Sequence, residues 1–179
     1  MKRLFITLIL FVALFSSCSI VRFARFYASA DDQKGRLTGQ VYESKFTSYE
    51  IGSLSDSWER IKIEGGDIAF WNSKVGATIT VNSTCNQKGK YSLKALSEPL
   101  VIGIADKRML GRNELSIDSE KALESIYLGR LDSASIKLST VVLKKGSCVY
   151  DLTYASSPDN FARGFGDFKE FISKFRVIK

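Results

Sequence analysis

The stretch that most limits what this chain can become runs from Phe161 to Phe175. Phe161, Phe165, Phe168, Ile172 and Phe175 follow at steps of four, three, four and three. That is helical spacing, and it sets four phenylalanines on one stripe that a sheet must cover. Ser157-Pro158-Asp159 reads as the helix start, with serine as cap and proline at the first helical position. Gly164 and Gly166 weaken the middle, which admits two helical pieces with the second opening near Asp167.

The sequence upstream offers strands for that stripe. In Ala77 to Cys85 the residues Ala77, Ile79, Val81 and Cys85 point one way and Thr78, Thr80, Asn82 and Thr84 the other. Such a strand is buried on one face and wet on the other. Arg60–Ile63 and Asp67–Asn72 precede it, broken by Gly65-Gly66; Leu115–Asp118, Ala122–Leu131 and Ser135–Leu143 follow it. Lys144-Lys145-Gly146 turns the chain into Ser147–Tyr154, where Cys148, Tyr150, Leu152 and Tyr154 share a face. Between these strands Leu93, Leu96, Leu100 and Ile104 recur at helical spacing, with Pro99 as a kink or Ser97 as a late cap. Asp106-Lys107-Arg108 closes that helix. The expectation is an α+β fold: an antiparallel β-sheet with one face covered by two helices, Ser92–Ala105 and Pro158–Phe175.

The N-terminus carries a different message. Behind Lys2-Arg3 an unbroken apolar run, Leu4 onward, ends in two serines and Cys18, the layout of a secretory signal. Phe15-Ser16-Ser17-Cys18 resembles the lipobox of bacterial lipoproteins, departing from it at Phe15, where leucine is usual. The resemblance implies a signal peptide over 1–17, diacylglycerol on Cys18 and a lipid-anchored tether over 18–36. A single domain over 37–179 follows. Ser19 stands where an aspartate would retain such a protein in the inner membrane, so the outer membrane, facing the periplasm, is implied. Two rivals are an ordinary signal peptide and an uncleaved anchor from Leu4 to Val21. The second sets Arg22 and Arg25 against the positive-inside bias. Val21 to Tyr27 alternates aromatics with arginine, which suits the headgroup level of a membrane or a plain linker.

Composition narrows the chemistry. The chain has no histidine, which removes Ser-His and Cys-His nucleophiles and the commonest metal ligand. Its formal net charge of +7 is scattered rather than blocked, so no nucleic-acid partner is expected. No metal spacing is present and no cofactor is expected. With Cys18 spent on lipid, Cys85 and Cys148 sit at inward strand positions in an oxidising compartment. They read as a disulfide or, failing that, as two buried thiols. Asp67, Asp151 and Asp167 are not paired by spacing, and neither Ser92-x-Lys94 nor Ser173-Lys174 has the context of a Ser-Lys nucleophile. Gly164-Phe165-Gly166 is far short of a phosphate loop. No catalytic residue is assigned. Trp58, Trp71 and Tyr150 form a candidate ligand cleft, although an aromatic in a strand is usually packing.

At Asp67-Ile68-Ala69-Phe70, Leu100-Val101-Ile102-Gly103-Ile104 and Val142 to Asp151 the chain resembles a group of uncharacterised bacterial envelope lipoproteins. More loosely, its element order resembles the PsbP/Mog1-like α/β sandwich, over roughly Tyr49 to Val177. Such folds mostly bind or help assemble something, and the resemblance carries no catalytic residues. The expected role is therefore a non-catalytic envelope lipoprotein, held to the membrane by its lipid, that binds a protein, lipid or polymer partner. One alternative is a lipid- or hydrophobe-binding accessory factor; another is a histidine-free hydrolase using Ser-Lys or a carboxylate pair.

Overall fold

The computed structural model describes residues 35–179 apart from Glu64, Gln87 and Lys88. The signal reading, the anchor at Cys18 and nearly all of the tether lie outside the described residues. In chain order the strands are β1 (Arg36–Thr38), β2 (Val41–Glu43), β3 (Ser48–Glu50), β4 (Glu59–Ile61), β5 (Ile68–Asn72) and β6 (Ala77–Thr84). Helix α1 (Leu93–Ser97) runs into a 3₁₀ turn (Glu98–Val101). Then come β7 (Ala105–Ile117), β8 (Glu120–Leu131), β9 (Ala134–Lys145), β10 (Cys148–Ser156), α2 (Phe161–Ser173) and β11 (Arg176–Val177).

The pairings are antiparallel and make two sheets: a large one in the order β4-β5-β6-β10-β9-β8-β7 and a small one in the order β1-β2-β3-β11. Alternation decides the faces of the large sheet. Ala77, Ile79 and Val81 of β6 stand beside Tyr150, Leu152 and Tyr154 of β10 and Val141 and Leu143 of β9 on an inner face. The small sheet and α2 close over this face. Tyr49 of β3 meets Tyr150 edge-on at 5.8 Å and Phe175 at 5.2 Å.

Helix α2 buries most of its stripe; Phe165 is only partly covered, and Phe171, outside the stripe, is fully buried. Phe168, Phe171 and Phe175 are fully buried, and Phe161 and Ile172 nearly so; burying one such side chain contributes about 1.5 to 3 kcal/mol. Tyr154 gathers them, stacking on Phe168 at 5.7 Å and lying edge-on to Phe161 at 5.1 Å. Gly164 does not divide the helix. A Cβ there would stand 2.8 Å from the Tyr154 hydroxyl oxygen, so glycine is present for close approach. The helix also begins later than expected, with Asn160 at the N-cap. Ser157–Asn160 forms a turn in which the Asn160 N–H donates to the Ser157 carbonyl at 3.2 Å.

The first expected helix is corrected twice. It is short, and it lies on the outer face, opposite α2. Val101 packs with Tyr127 of β8 and Leu138 of β9 in a second cluster, with Ile104 and Ala155 at its border. The route explains this. β6 lies inside the sheet and β7 at its far edge, so the connection must cross a face, and α2 and the small sheet already fill the inner one. The predicted closing residues Asp106-Lys107-Arg108 are instead the start of β7.

The tight turns use residues that tolerate positive φ. Asp118 (φ 52°) and Ser119 (φ 64°) make the two-residue β7–β8 turn, in a conformation asparagine, aspartate and glycine favour. The Asp118 carboxylate then accepts from Lys145 at the end of β9 and from the Val177 N–H of β11, the latter at 3.0 Å. Burial works against that charge, but these donors and the Arg176 cation hold the carboxyl below its usual range.

Candidate functional site

The outer face carries a cleft of about 700 Å³. Tyr127, Met109 and Arg112 come from β8 and β7. Ala95, Glu98, Pro99, Val101 and Ile102 come from α1 and the turn after it, and Lys107 from the first residues of β7. Three local causes shape it. Ser92 caps α1 by accepting from the Ala95 N–H at 3.2 Å, which starts the helix over the sheet. Pro99 at the start of the 3₁₀ turn lacks an N–H and so cannot continue α1 as an ideal helix. Gly129 lets the exit segment close down, because a Cβ there would run into Ile104 and stand 2.8 Å from the Ala105 carbonyl oxygen.

The lining is mixed in a definite way. Arg112 donates from Nε to the Ser125 hydroxyl at 3.0 Å and from Nη2 to the Tyr127 hydroxyl at 3.2 Å. Lys107 donates to the Val101 carbonyl at 3.1 Å. Both cations therefore rest on neutral acceptors. Among the described residues no carboxylate forms an ion pair with either, and Glu98 is the lining's own acid. At the rim Ile102 is 77% exposed and Met109 51%, a cost that water exacts and a ligand would relieve.

The residues singled out in the sequence are placed otherwise. Trp58 and Tyr150 are buried on the inner face. Trp58 donates its indole N–H to Asp167 at 2.8 Å, and the Tyr150 hydroxyl shares a 2.7 Å hydrogen bond with Thr47. Trp71 pairs with Thr78, on the outward side of β6, and is partly exposed. The three share no cleft: Trp58 and Tyr150 are packed in the core with their polar atoms bonded to Asp167 and Thr47, while Trp71 faces outward. Cys85 and Cys148 do come together. They form a disulfide with Cα atoms 4.0 Å apart, one step beyond the Thr84–Val149 pair.

Two carboxylates invite a chemical reading. Asp67 accepts from Tyr42 at 2.9 Å, Tyr49 at 3.0 Å and Ser83 at 2.6 Å. Burial raises its carboxyl above the ordinary range, and these donors oppose the rise. Burial next to this acid likewise pushes both phenols well above the usual tyrosine range. Asp151 stands in register with Asn82 and Val142, hence on the outer face. Its buried Oδ1 has no hydrogen-bond partner. Burial first and the Asp67 charge second push its carboxyl up to about 7. Neither acid lines the cleft. The serine–lysine candidates are also apart: Ser92 is a cap, the Ser173 hydroxyl donates to the Glu170 carbonyl, and Lys174 pairs with the Glu170 carboxylate. Among the described residues no group of three or more His, Cys, Asp or Glu is placed to hold a metal ion. No helix among them is long and apolar enough to cross a membrane.

Sequence reasoning missed the cleft. Its residues are scattered over α1, the turn, β7 and β8, and Lys107, Met109 and Arg112 sit where no period is visible. Only the Pro99 break inside an apolar run hinted at the turn that forms its wall.

No protein-family model matches the chain, and no curated protein matches it in sequence. Solved structures share the fold at low identity. Cyanobacterial PsbP (CyanoP) from Synechocystis sp. PCC 6803 is 12% identical with a TM-score of 0.57, over 80% of this chain and 98% of that one. LpqN of Mycobacterium tuberculosis, described as involved in cell envelope biogenesis, is 11% identical with a TM-score of 0.54, over 73% and 84%. A Bacteroides thetaiotaomicron VPI-5482 protein is 12% identical with a TM-score of 0.54, over 73% of this chain and 45% of that one. At these identities the likeness is one of fold: the PsbP-like α+β architecture.

Proposed function

We propose that this chain is a non-catalytic envelope lipoprotein, anchored through Cys18, whose domain binds a hydrophobic ligand or partner in the cleft between α1 and the β7–β8 hairpin. The observation that carries the reading is the cleft itself, with apolar walls from Ala95, Pro99, Val101, Ile102 and Met109. This moves the ligand site of the accessory-factor reading from Trp58, Trp71 and Tyr150 to the cleft beside α1. The N-terminal lipobox-like segment and the disulfide both suit an oxidising envelope compartment, and the role given for LpqN is of the same kind. The periplasmic face of the outer membrane remains part of the proposal, resting on Ser19.

The hydrolase alternative gains little. Such a hydrolase needs two titratable groups within hydrogen-bond reach in a cleft. Asp151 has the raised carboxyl but no partner, and Asp67 is wrapped in three donors. Lipid extraction of protein taken from native envelopes, with Ala95→Trp alongside to fill the cleft, tests the binding reading. Wild type is expected to release bound lipid or hydrophobe and the variant to release less. Recovery of neither lipid nor a crosslinked envelope partner above a tag-only control rejects it. Turnover abolished by changing one serine or aspartate overturns the non-catalytic part.

A further inference from the structure

We infer that the cleft selects an anionic amphiphile, with its acidic head on Arg112 and Lys107 and its chain along Val101, Ile102 and Met109; this rests on the binding reading above. The charge pattern points there. Arg112 spends two donors on the Ser125 and Tyr127 hydroxyls, which orient the guanidinium without neutralising it. A guanidinium offers five N–H donors in a planar fork, so three remain for an incoming oxyanion, the ligand it matches best in two-point geometry. Lys107, exposed and held by the Val101 carbonyl, adds a second cation at the mouth. A fully apolar guest would leave the half-buried Arg112 charge in a drier cleft with no counter-ion, at a desolvation cost that an acidic head removes.

Glu98 is the one feature that opposes an anion. It sits at the first position of the 3₁₀ turn and is exposed, so water screens it better than the half-buried Arg112. The lining thus carries two cations against one exposed acid. The apolar side is as specific. Ile102 and Met109, the most exposed of the lining's large apolar side chains, border the same cleft as the cations. A fatty carboxylate and a lipid phosphate monoester satisfy this arrangement equally, and an experiment separates them.

The test uses the full lipidated chain in discs of neutral phosphatidylcholine and three photoreactive probes of one medium chain length: a fatty carboxylate, an alkyl phosphate and the uncharged alcohol. Crosslinks are mapped to peptides spanning residues 92–112. At low salt at least one anionic probe is expected to label these peptides about tenfold or more above the alcohol, the scale of one charge-assisted hydrogen bond. The preference should shrink as ionic strength rises. Arg112→Gln and Lys107→Gln should each reduce it while alcohol labelling persists. Lys107→Gln guards against a folding artefact, since its ammonium touches only a backbone carbonyl. Which anionic probe labels more strongly identifies the head. Equal labelling by alcohol and acids, unaffected by either variant, overturns the inference and leaves hydrophobe binding standing. Absence of cleft labelling by any probe overturns both.

Discussion

Asp151 is a carboxyl group that folding has left in an unfavourable place. Its ordinary pKa of 3.8 rises to about 7 in the folded chain, chiefly through burial. Between those values the unfolded chain has released a proton that the folded chain still holds. The contribution of this residue to stability is therefore complete below about pH 4, falls as pH rises through this window and levels off above about 7. At about 1.4 kcal/mol per unit, the loss attributable to this residue is on the order of 4 kcal/mol. Asp151→Asn has no proton to lose, so it should be more stable than wild type at pH 8 and nearly equal to it at pH 4. Denaturant midpoints at both pH values measure this; an undiminished slope in the variant would place the effect elsewhere, with Asp67 the first suspect. Phe168→Ala works in the opposite sense. It empties a fully buried site against Tyr154 and should cost about 3 to 5 kcal/mol. A melting temperature that did not move would remove α2 from the core.

Among the elements, β6 and β10 are tied twice, by their ladder and by the Cys85–Cys148 disulfide. In the chain-entropy account, a crosslink spanning 63 positions stabilises by about 4 kcal/mol. Reduction, or Cys148→Ser, should lower the melting temperature by several degrees, and a reduced protein melting with the oxidised one would contradict this. Legibility from sequence followed packing. β6 and β10 are readable because each alternates buried and half-exposed residues, β8 and β9 because their middles are buried on both faces and read as apolar and β-branched runs, and the Phe161–Phe175 stripe because most of it faces the core. Of β7 only the end is readable, within Leu115–Asp118, since much of the rest is exposed on both faces and two register irregularities interrupt it. An edge strand of that kind has no period to find. β1, β2, β3 and β11 have two or three residues each, too few for alternation to be seen. The same physics hid the cleft, whose charged floor lies on β7.

At the scale of the whole domain, entry and cleft lie at opposite ends of the large sheet. Gly35 donates its N–H to the Tyr42 hydroxyl at 2.8 Å, and that phenol reaches Asp67 beside Ser83. Ser83 is in register with Tyr150, whereas the cleft's Tyr127 is in register with Leu138 and, through it, Ala155. Five steps of β10 part the two, about 17 Å. In the proposed lipoprotein the binding end thus points away from the residue where the tether joins. Mass spectrometry of the N-terminal peptide from native envelopes is expected to find diacylglycerol on Cys18; an unmodified thiol or an intact Met1-Lys2-Arg3 start rejects the anchor. The small sheet has a consequence of another kind, in time rather than space. Its fourth strand is Arg176–Val177, pairing with β3, and the Thr47 hydroxyl donates to the Lys179 carbonyl across 132 positions of sequence. Contacts so distant in sequence close slowly. In the proposed lipoprotein, a chain threading a translocation pore would complete its small sheet only once residue 176 had emerged. Tyr49 gains its Phe175 cover only with that arrival, so an exported chain of this kind would collapse fully only late in its delivery.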